Sequence, residues 1–312
     1  MFERSTQTVG RGEGDMKDMN GKVVVITGGA SGIGLAMAET FGAQGARIVL
    51  GDIERDALDR AVERLEANGI EAIGVVADVA HFEQVEALAA AASARFGKVH
   101  VVCNNAGVSI TGPTWAMSLD DWRWVYDVNV WGVVHGIKAF VPILLRQGEG
   151  GHVVNTASLA AFNGNGDHAP YCSSKFAVLG MSQSLFSEMK ALQTGIGVHV
   201  VCPGMVATRI HQSWRNRPSD DTPWSDREFA NDAFVKGSEA FQGRGLAPDA
   251  IARSTLEAIR EDRFYVFTGD NWPMFLEDSL GRAIRAENPR VITWGEDRRP
   301  EDERETPPWR ND

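Results

Sequence analysis

Several features are scarce in this 312-residue sequence, and each scarcity argues against a class of protein. Only three cysteines occur, Cys103, Cys172 and Cys202, and their wide separation fits neither a disulfide framework nor a metal site. Basic residues are outnumbered, with 31 Lys and Arg against 42 Asp and Glu, giving a formal net charge of −11. Nucleic acids and anionic membrane surfaces both require a basic patch, so neither is expected as a partner.

Targeting and membrane signals are also lacking. No apolar run approaches the roughly 18 residues of a membrane span, and residues 1–20 are charged and glycine-rich, without the apolar core of a secretory signal. We therefore expect a cytoplasmic protein in a reducing compartment. Cys172 lies beside Tyr171 and has two interpretations, a reactive thiol or a small filler residue, of which the second is favoured.

What is present is a repeated alternation of strand and helix. Short β-branched runs such as 22–27 and 197–202 are typical of strands that are buried on both faces. Amphipathic stretches of 10 to 15 residues separate these runs, which predicts a doubly wound parallel sheet with helices on both faces. Counting the runs gives seven strands, the last at 264–267. Ligands of such sheets bind at the carboxyl ends of the strands.

A glycine-rich turn follows the first predicted strand and precedes a helix. Its sequence, Gly28-Gly-Ala-Ser31-Gly32-Ile33-Gly34, leaves backbone N–H groups uncovered at a helix N-terminus, where a pyrophosphate can bind. The second strand ends at Asp52, about 20 residues further on, where a carboxylate can accept both ribose hydroxyls and repel a 2′-phosphate. The alternative is that Asp52 caps the next helix. We expect NAD rather than NADP. Arg55, one turn into the next predicted helix, is the residue that argues in the other direction.

Tyr171 and Lys175 lie four residues apart, on one face of a predicted helix. A free phenol has a pKa near 10, and a nearby ammonium should lower it towards the range of an efficient acid/base. By itself this spacing is more often a chance pair on a helix surface. Two polar residues strengthen the functional interpretation: Ser158 follows the fifth strand, and Asn129 interrupts the apolar stripe of a long helix predicted to bend or end near Pro142.

Together these residues resemble the short-chain dehydrogenase/reductase family over residues 21–267. The motifs that carry the resemblance, in order, are Thr27-Gly28-x-x-x-Gly32-x-Gly34, Asp78-Val79, Asn104-Asn105-Ala106-Gly107, Asn129, Ser158, Tyr171-x-x-x-Lys175 and Pro203-Gly204 with Thr208. Each motif alone is weak, and seven in the right order on the expected elements are specific. The resemblance implies a single Rossmann-type domain at 21–268 that binds a dinucleotide.

The resemblance also implies residue roles. Tyr171 would exchange the proton of the substrate oxygen, Ser158 would hydrogen-bond that oxygen, Lys175 would lower the Tyr171 pKa and bind the nicotinamide ribose, and Asn129 would hold a relay water. The cofactor would supply the hydride chemistry, and no metal would be needed. The implied cofactor contacts are Gly28, Ser31, Gly32, Ile33, Gly34, Asp52, Asp78, Val79, Asn105, Ala106, Gly107, Tyr171, Lys175, Pro203, Val206 and Thr208.

Three segments depart from a minimal domain of this kind. We predict a flexible tail at 1–20, an aromatic-rich substrate loop or lid at 205–245, and an extension at 269–312 whose end is disordered. Members of the family often form tetramers through the last strand, so a homodimer or homotetramer is expected. The extension puts that contact in doubt and could instead cover the mouth of the active site.

Three functions remain open at this point. The first is an NAD-dependent oxidoreductase that interconverts a secondary alcohol and a ketone on a mainly apolar small molecule, of terpenoid, steroid or aryl alcohol type. The second is an NADP-dependent carbonyl or 3-ketoacyl reductase, which Asp52 opposes. The third is a non-catalytic dinucleotide-binding sensor, which the complete set of candidate catalytic residues opposes.

Overall fold

A computed structural model describes residues 18–218, 245–270 and 272–290 of the chain. Within them, seven strands form one sheet in the order β3-β2-β1-β4-β5-β6-β7, and every neighbouring pair is parallel. The strands are β1 Val23–Thr27, β2 Arg47–Asp52, β3 Ala72–Val76, β4 Val101–Asn104, β5 Gly151–Thr156, β6 Ile196–Cys202 and β7 Tyr265–Phe267. The predicted seven-stranded parallel sheet is confirmed.

Helices cover both faces of this sheet, as the alternating pattern predicts. Numbered along the described residues, they are α1 Gly32–Gly42, α2 Arg55–Ala67, α3 Phe82–Phe96, α4 Leu119–Tyr126, α5 Gly132–Gln147, α6 Ala169–Ala191, α7 Pro248–Arg260 and α8 Trp272–Ile284. A π-helical turn, Asp127–Trp131, joins α4 to α5, and 3₁₀ turns lie at Leu159–Ala161 and Ile210–Asn216.

The period-2 alternation of the strands divides the core into two layers. In β1, Val24 and Ile26 pack into one cluster with buried residues of α1, α2 and α7. Val23 and Val25 pack into the other cluster, with buried residues of α3, α5 and α6. All five residues of β1 are buried, which explains why the strand reads as a continuous apolar run.

The chain reverses direction across the sheet between β1 and β4. From β1 it runs outward to β2 and β3, then returns to β4 beside β1 and continues to β7. A crevice therefore opens at the carboxyl ends of β1 and β4, where ligands of open α/β sheets bind.

The helix after β4 departs from two sequence expectations. Its last part, α5, runs through Pro142 and ends at Gln147, so of the two predicted alternatives, a bend or an end near Pro142, the end is wrong; the proline removes one N–H from the ladder and the helix continues. The helical stretch Leu119–Gln147 is also long and apolar enough to cross a membrane by length and composition. Its buried side chains, Phe140 and Leu144 among them, pack onto the sheet, so it serves as a core helix.

Parts of the three predicted flanking segments lie outside the described residues. These parts are 1–17 of the tail, 219–244 of the substrate loop and 291–312 of the extension. The described part of the extension forms α8, Trp272–Ile284.

Candidate active site

A cavity of about 1530 Å³ lies at the carboxyl ends of the strands, among the described residues. Most of the predicted site residues line it: Gly28, Ser31, Gly32, Ile33, Asp52, Asp78, Val79, Asn105, Ala106, Gly107, Ser158, Tyr171, Lys175, Pro203, Val206 and Thr208. Gly34 and Asn129 lie behind this lining. The fold thus brings together residues that are up to 180 positions apart in the sequence.

The glycine-rich turn is shaped by close backbone contacts. Gly28 and Gly32 have φ values of +63° and +54°, which favour glycine. A Cβ on Gly34 would lie 2.1 Å from the Gly28 carbonyl oxygen, so that oxygen packs directly onto the first turn of α1. Gly34 therefore shapes the turn from beneath and leaves the N–H groups at the start of α1 facing the cavity, where a pyrophosphate would fit.

A polar network joins the turn to the neighbouring strands. Asn105 Nδ2 donates to the carbonyl oxygens of Thr27 (3.1 Å) and Gly28 (3.3 Å), and Thr156 Oγ1 donates to Asn105 Oδ1 (3.2 Å). Thr27 Oγ1 in turn accepts from the backbone N–H groups of Asn105 and Ala106. The ends of β1, β4 and β5 are thereby fixed to one another around the centre of the cavity.

Asp52 sits at the end of β2 with both carboxylate oxygens hydrogen-bonded. Oδ2 accepts from the Ala30 N–H at 2.9 Å, and Oδ1 accepts from the Glu54 N–H at 3.0 Å. The Asp52 side chain does not cap α2, because its contact is to the residue that occupies the cap position itself. Burial raises the pKa of Asp52, while these backbone hydrogen bonds act in the opposite direction. The carboxylate braces the glycine-rich turn and borders the cavity.

Two further pairs of predicted cofactor contacts line the cavity, Asp78 with Val79 and Val206 with Thr208. Asp78 Oδ1 accepts from the Ala80 N–H at 3.0 Å, which orders the loop after β3. Thr208 packs against the turn, since a Cβ on Gly32 would lie 3.2 Å from Thr208 Cγ2. Val206 is buried and forms a parallel bridge with Leu246, which ties this segment to the chain before α7.

Ser158 and Tyr171 both line the cavity, and the Ser158 hydroxyl acts on the phenol. Ser158 caps the 3₁₀ turn after β5, accepting from the Ala160 N–H at 3.1 Å, and its hydroxyl is held within 3.4 Å of the Pro203 carbonyl oxygen. Burial raises the pKa of Tyr171 to about 12, although the hydrogen bond to Ser158 lowers it. The sequence prediction of a lowered phenol pKa is therefore wrong, because desolvation outweighs the contribution of the Ser158 hydroxyl.

Lys175 is buried, with 3% of its surface exposed. Its Nζ donates to the Thr156 carbonyl oxygen at 2.9 Å and lies 5.6 Å from the centre of the Tyr171 ring. Burial lowers the pKa of Lys175 to about 8. The ammonium is thus held beside the phenol.

Asn129 lies in the π-helical turn between α4 and α5 and is fully buried. Its Oδ1 accepts from the Val108 N–H at 2.8 Å, and its Nδ2 donates to the Val108 carbonyl oxygen and to Ser174 Oγ, both at 3.0 Å. A Cβ on Gly107 would lie 3.4 Å from Asn129 Oδ1 and 3.5 Å from Lys175 Nζ, so these two atoms face the same spot. The amide is satisfied in the core and sits directly behind Lys175. π-turns of this kind are frequent at functional sites.

Two contacts around the site escaped the sequence analysis. Asn104 Nδ2 donates to Asn155 Oδ1 at 2.8 Å, and Asn155 Nδ2 donates to Ser182 Oγ at 3.0 Å, so a buried polar chain links β4, β5 and α6. Gly136 of α5 lies so close to this chain that a Cβ there would be 1.8 Å from Asn104 Oδ1. The sequence signal that could have indicated this polar chain is the presence of an asparagine near the end of both β4 and β5.

The second missed contact crosses the cavity. Arg215 Nε donates to Glu54 Oε1 at 3.0 Å, and Asn216 Nδ2 donates to the same oxygen at 2.8 Å. Burial raises the pKa of Glu54, but these hydrogen bonds outweigh it and leave the pKa lowered. Because the partners are 161 residues apart, no local pattern could have indicated the pair.

The cysteines behave as buried fillers. All three are free and buried, and burial raises the pKa of Cys172 and of Cys103, and that of Cys202 to about 12. A thiol that keeps its proton is a poor nucleophile, so the filler interpretation of Cys172 is favoured.

A family model described as short chain dehydrogenase matches residues 22–219. The chain belongs to the short-chain dehydrogenase family. Its members bind NAD or NADP, and this member is an oxidoreductase of the alcohol dehydrogenase/reductase type.

Similar proteins agree with this assignment. The 1-deoxy-11-beta-hydroxypentalenate dehydrogenase of Streptomyces exfoliatus is 36% identical over 265 residues, which cover 83% of this short-chain dehydrogenase and 87% of the relative. A short-chain dehydrogenase/reductase from Burkholderia phymatum, solved in complex with NAD, is 38% identical with a TM-score of 0.83, covering 88% of this chain and 98% of that one. A metagenomic short-chain oxidoreductase in complex with NADP is 28% identical with a TM-score of 0.63, covering 80% and 96%.

The cavity of this short-chain dehydrogenase offers what a dinucleotide requires. Uncovered backbone N–H groups at the start of α1 suit a pyrophosphate, the Asp52 carboxylate suits ribose hydroxyls, and Tyr171 lies further along the same cavity. The residues present therefore fit the cofactor class that the family uses.

Proposed function

We propose that this short-chain dehydrogenase interconverts a secondary alcohol and a ketone on a mainly apolar small molecule, with NAD as hydride acceptor. The observation that carries the proposal is that Ser158, Tyr171 and the buried ammonium of Lys175 line one cavity, with Lys175 Nζ 5.6 Å from the centre of the Tyr171 ring. NAD, when bound, would supply the hydride acceptor. The protein has to hold the substrate oxygen, remove its proton and keep water out.

Each of these tasks has a residue that fits it. Ser158 would hold the substrate oxygen, and Tyr171 would take the hydroxyl proton during oxidation and return it during reduction. Lys175 would stabilise the phenolate and, through its remaining N–H groups, hold the nicotinamide ribose. Asn129 would hold a relay water behind Lys175, as its position against Gly107 allows. The loss of one proton and one hydride balances the conversion of alcohol to ketone.

The preference for NAD rests on two acidic side chains at the end of β2. Asp52 borders the cavity where a 2′-phosphate would lie, and its carboxylate would repel that group. Arg215, which could otherwise attract a phosphate, is engaged by Glu54. The wild-type enzyme is expected to favour NAD over NADP by about 100-fold in kcat/KM, and Asp52→Ser should reduce that ratio at least tenfold. A clear NADP preference of the wild type would overturn the cofactor assignment.

The apolar substrate class is supported by the walls of the cavity. Val108, Ile110, Leu159 and Met205 line the same cavity as Ser158 and Tyr171. The similar enzyme from Streptomyces exfoliatus is named for a hydroxy acid. A polycyclic or aryl secondary alcohol, of terpenoid, steroid or aryl alcohol type, would therefore suit this cavity.

The test of the activity is a panel of secondary alcohols with NAD, followed by absorbance of the reduced cofactor. Tyr171→Phe keeps the ring and removes the exchangeable proton, and it is expected to lower kcat by at least about 1000-fold with little change in the NAD dissociation constant. The matched control is Tyr265→Phe, which changes a partly exposed tyrosine of β7. Unchanged turnover in Tyr171→Phe would refute the proposed role, and NAD binding without any turnover would favour a sensor.

We further propose that the protein works as a homodimer or homotetramer in the cytoplasm. Trp131, at the end of the π-helical turn, and Phe176, on α6, are 52% and 45% exposed, and a partner subunit would cover them. Three free buried cysteines fit a reducing compartment. Light scattering coupled to gel filtration gives the assembly, and a monomeric mass at assay concentration would contradict it.

A further inference from the structure

Arg209 lines the cavity in the segment that touches the glycine-rich turn. It directly follows Thr208, which packs against the turn, since a Cβ on Gly32 would lie 3.2 Å from Thr208 Cγ2. The backbone of Arg209 is held in place by the 3₁₀ turn that follows, because its carbonyl oxygen accepts from the Gln212 N–H at 2.9 Å and from Arg215 Nη1 at 3.4 Å. A long cationic side chain therefore begins one residue from a contact with the turn where a pyrophosphate would fit.

The charge of Arg209 is not used by a partner within the described part of the chain. Four arginines line this cavity, and Arg209 alone among them makes no ion pair with a described residue. The other three are each paired with a carboxylate, Arg123 with Asp120, Arg215 with Glu54 and Arg217 with Asp121. Arg209 is thus the arginine whose charge remains available to an anion that enters the cavity.

The electrostatics of Glu54 place Arg209 on the side of the cavity that Asp52 borders. Burial raises the pKa of Glu54, but hydrogen bonds from Arg215 and Asn216 and the charges of Arg215 and Arg209 leave it lowered. The Arg209 guanidinium therefore lies within electrostatic range of a carboxylate two residues from Asp52, without a hydrogen bond to it.

A dinucleotide brings two phosphate charges into a cavity that is already acidic. Six carboxylates line its described part, those of Asp52, Glu54, Asp78, Asp120, Asp127 and Asp270. The N–H groups at the start of α1 offer only the partial charge of a helix N-terminus. A full positive charge close to the turn would reduce the repulsion that the phosphates meet, and a guanidinium can also donate two hydrogen bonds to them.

We propose that Arg209 is a pyrophosphate-binding residue, which supplies the positive charge that the glycine-rich turn lacks. A guanidinium would also suit the 2′-phosphate of NADP, but the contact of Thr208 with Gly32 favours the phosphates at the turn. The inference rests on the proposed function only for the presence of a dinucleotide and is independent of the substrate and of Tyr171. It also implies that a bound cofactor holds the segment after β6 against the start of α1.

The test measures the binding of NAD and of ADP-ribose, which has the pyrophosphate and no nicotinamide, by calorimetry. Arg209→Gln is expected to raise both dissociation constants about tenfold, which is the order of magnitude for loss of one charge-assisted contact. Arg209→Lys keeps the charge and should recover most of the affinity. The matched control is Arg253→Gln, which removes the charge of an arginine that is paired with Asp249 on α7 and does not line the cavity. It should leave both dissociation constants unchanged.

Salt separates a contact between charges from a change in shape. Raising the NaCl concentration from about 50 mM to about 500 mM should weaken ADP-ribose binding more in the wild type than in Arg209→Gln, because salt screens the charge that the variant lacks. An equal salt dependence in the two proteins would overturn the inference, as would equal losses of NAD binding in Arg209→Gln and Arg253→Gln.

Comparison of NAD with NADP distinguishes the two sources of phosphate. Arg209→Gln should weaken the binding of both cofactors by the same factor, since both contain the pyrophosphate. A loss confined to NADP would assign Arg209 to the 2′-phosphate and overturn the inference. These are binding measurements, so retained turnover by Tyr171→Phe would refute the proposed reaction and leave the role of Arg209 intact.

Discussion

Lys175 is expected to destabilise the folded protein at neutral pH, and Lys175→Met should therefore make the protein more stable while abolishing its activity. The ammonium is buried with a single carbonyl partner, Thr156, and burial lowers its pKa from the ordinary 10.5 to about 8. That difference corresponds to roughly 3 kcal/mol of folding free energy. Methionine has a similar volume, and loss of the hydrogen bond to Thr156 offsets about 1 kcal/mol. A net gain of about 2 kcal/mol at pH 7 follows.

The pH dependence of this gain has a defined sign. Because the folded-state pKa lies below the unfolded value, the penalty is fully present below about pH 8, where both states hold the proton. Between about 8 and 10.5 the folded state releases the proton while the unfolded state keeps it, so the wild type becomes more stable relative to Lys175→Met. The advantage of the variant should shrink steadily over that interval.

Urea denaturation of the ligand-free wild type and variant at pH 7 and at pH 9.5 measures both effects. The control is Lys190→Met, since Lys190 is about half exposed and paired with Asp262. That exchange should give no gain at either pH. The reasoning is refuted if Lys175→Met is less stable than wild type at pH 7, or if the difference between them does not change with pH.

Three further predictions follow from the site and the core. Gly34→Ala places a Cβ 2.1 Å from the Gly28 carbonyl oxygen, so the dissociation constant of NAD, measured by calorimetry, should rise at least about tenfold as the turn deforms. His152 and His199 are buried and hydrogen-bonded at 2.8 Å, and burial lowers the pKa of both, that of His152 to about 3. The contribution of this neutral pair to the free energy of unfolding should therefore be fully present above pH 6.5 and decrease as the pH falls towards 3, which urea denaturation midpoints will record. Oxidation needs the Tyr171 phenolate beside a protonated lysine, so kcat/KM should be highest between about pH 8 and about 12.

Each of these has a matched control. Gly180→Ala adds a methyl group with nothing within 4 Å and should leave NAD binding unchanged; an equal loss in both glycine variants would contradict the turn argument. His152→Gln should flatten the acid limb of the stability profile, and an unaltered limb would exclude the histidine pair as its cause. In Lys175→Gln, the residual kcat/KM should no longer fall on the alkaline side of the maximum. If that fall persists, the titration responsible for it belongs to a group other than Lys175.

The sheet could be predicted from the sequence because its strands are buried on both faces. Runs such as Val23–Thr27 carry β-branched residues at every position, and glycines or polar residues mark where each run ends. The family motifs fall at those ends, so the candidate site residues were also within reach of the sequence. Their assembly in one cavity follows from the parallel topology, which brings the carboxyl ends of the strands to a single edge.

The features that could not be predicted from the sequence depend on contacts between residues far apart in the chain and on the desolvation of buried groups. The Glu54–Arg215 pair joins residues 161 positions apart, and the π-turn at Asn129 depends on the hydrogen bonds that its amide makes with Val108 and Ser174. The pKa of Tyr171 also depends on burial, which raises it and cannot be read from the spacing of Tyr171 and Lys175. Such effects are set by tertiary packing and leave no local pattern.

The close approach of Gly136 to Asn104 has a consequence for how this protein can vary. Any side chain at position 136 would collide with the Asn104 amide, because a Cβ would lie 1.8 Å from Asn104 Oδ1. Position 136 is therefore free to change only when position 104 becomes smaller at the same time. Asn104 is hydrogen-bonded to Asn155 and through it to Ser182, so a change at 104 passes on to two further positions. The residues at positions 104, 136, 155 and 182 should therefore covary: in a library of random variants, folded proteins with a substitution at one of these positions should carry compensating substitutions at the others.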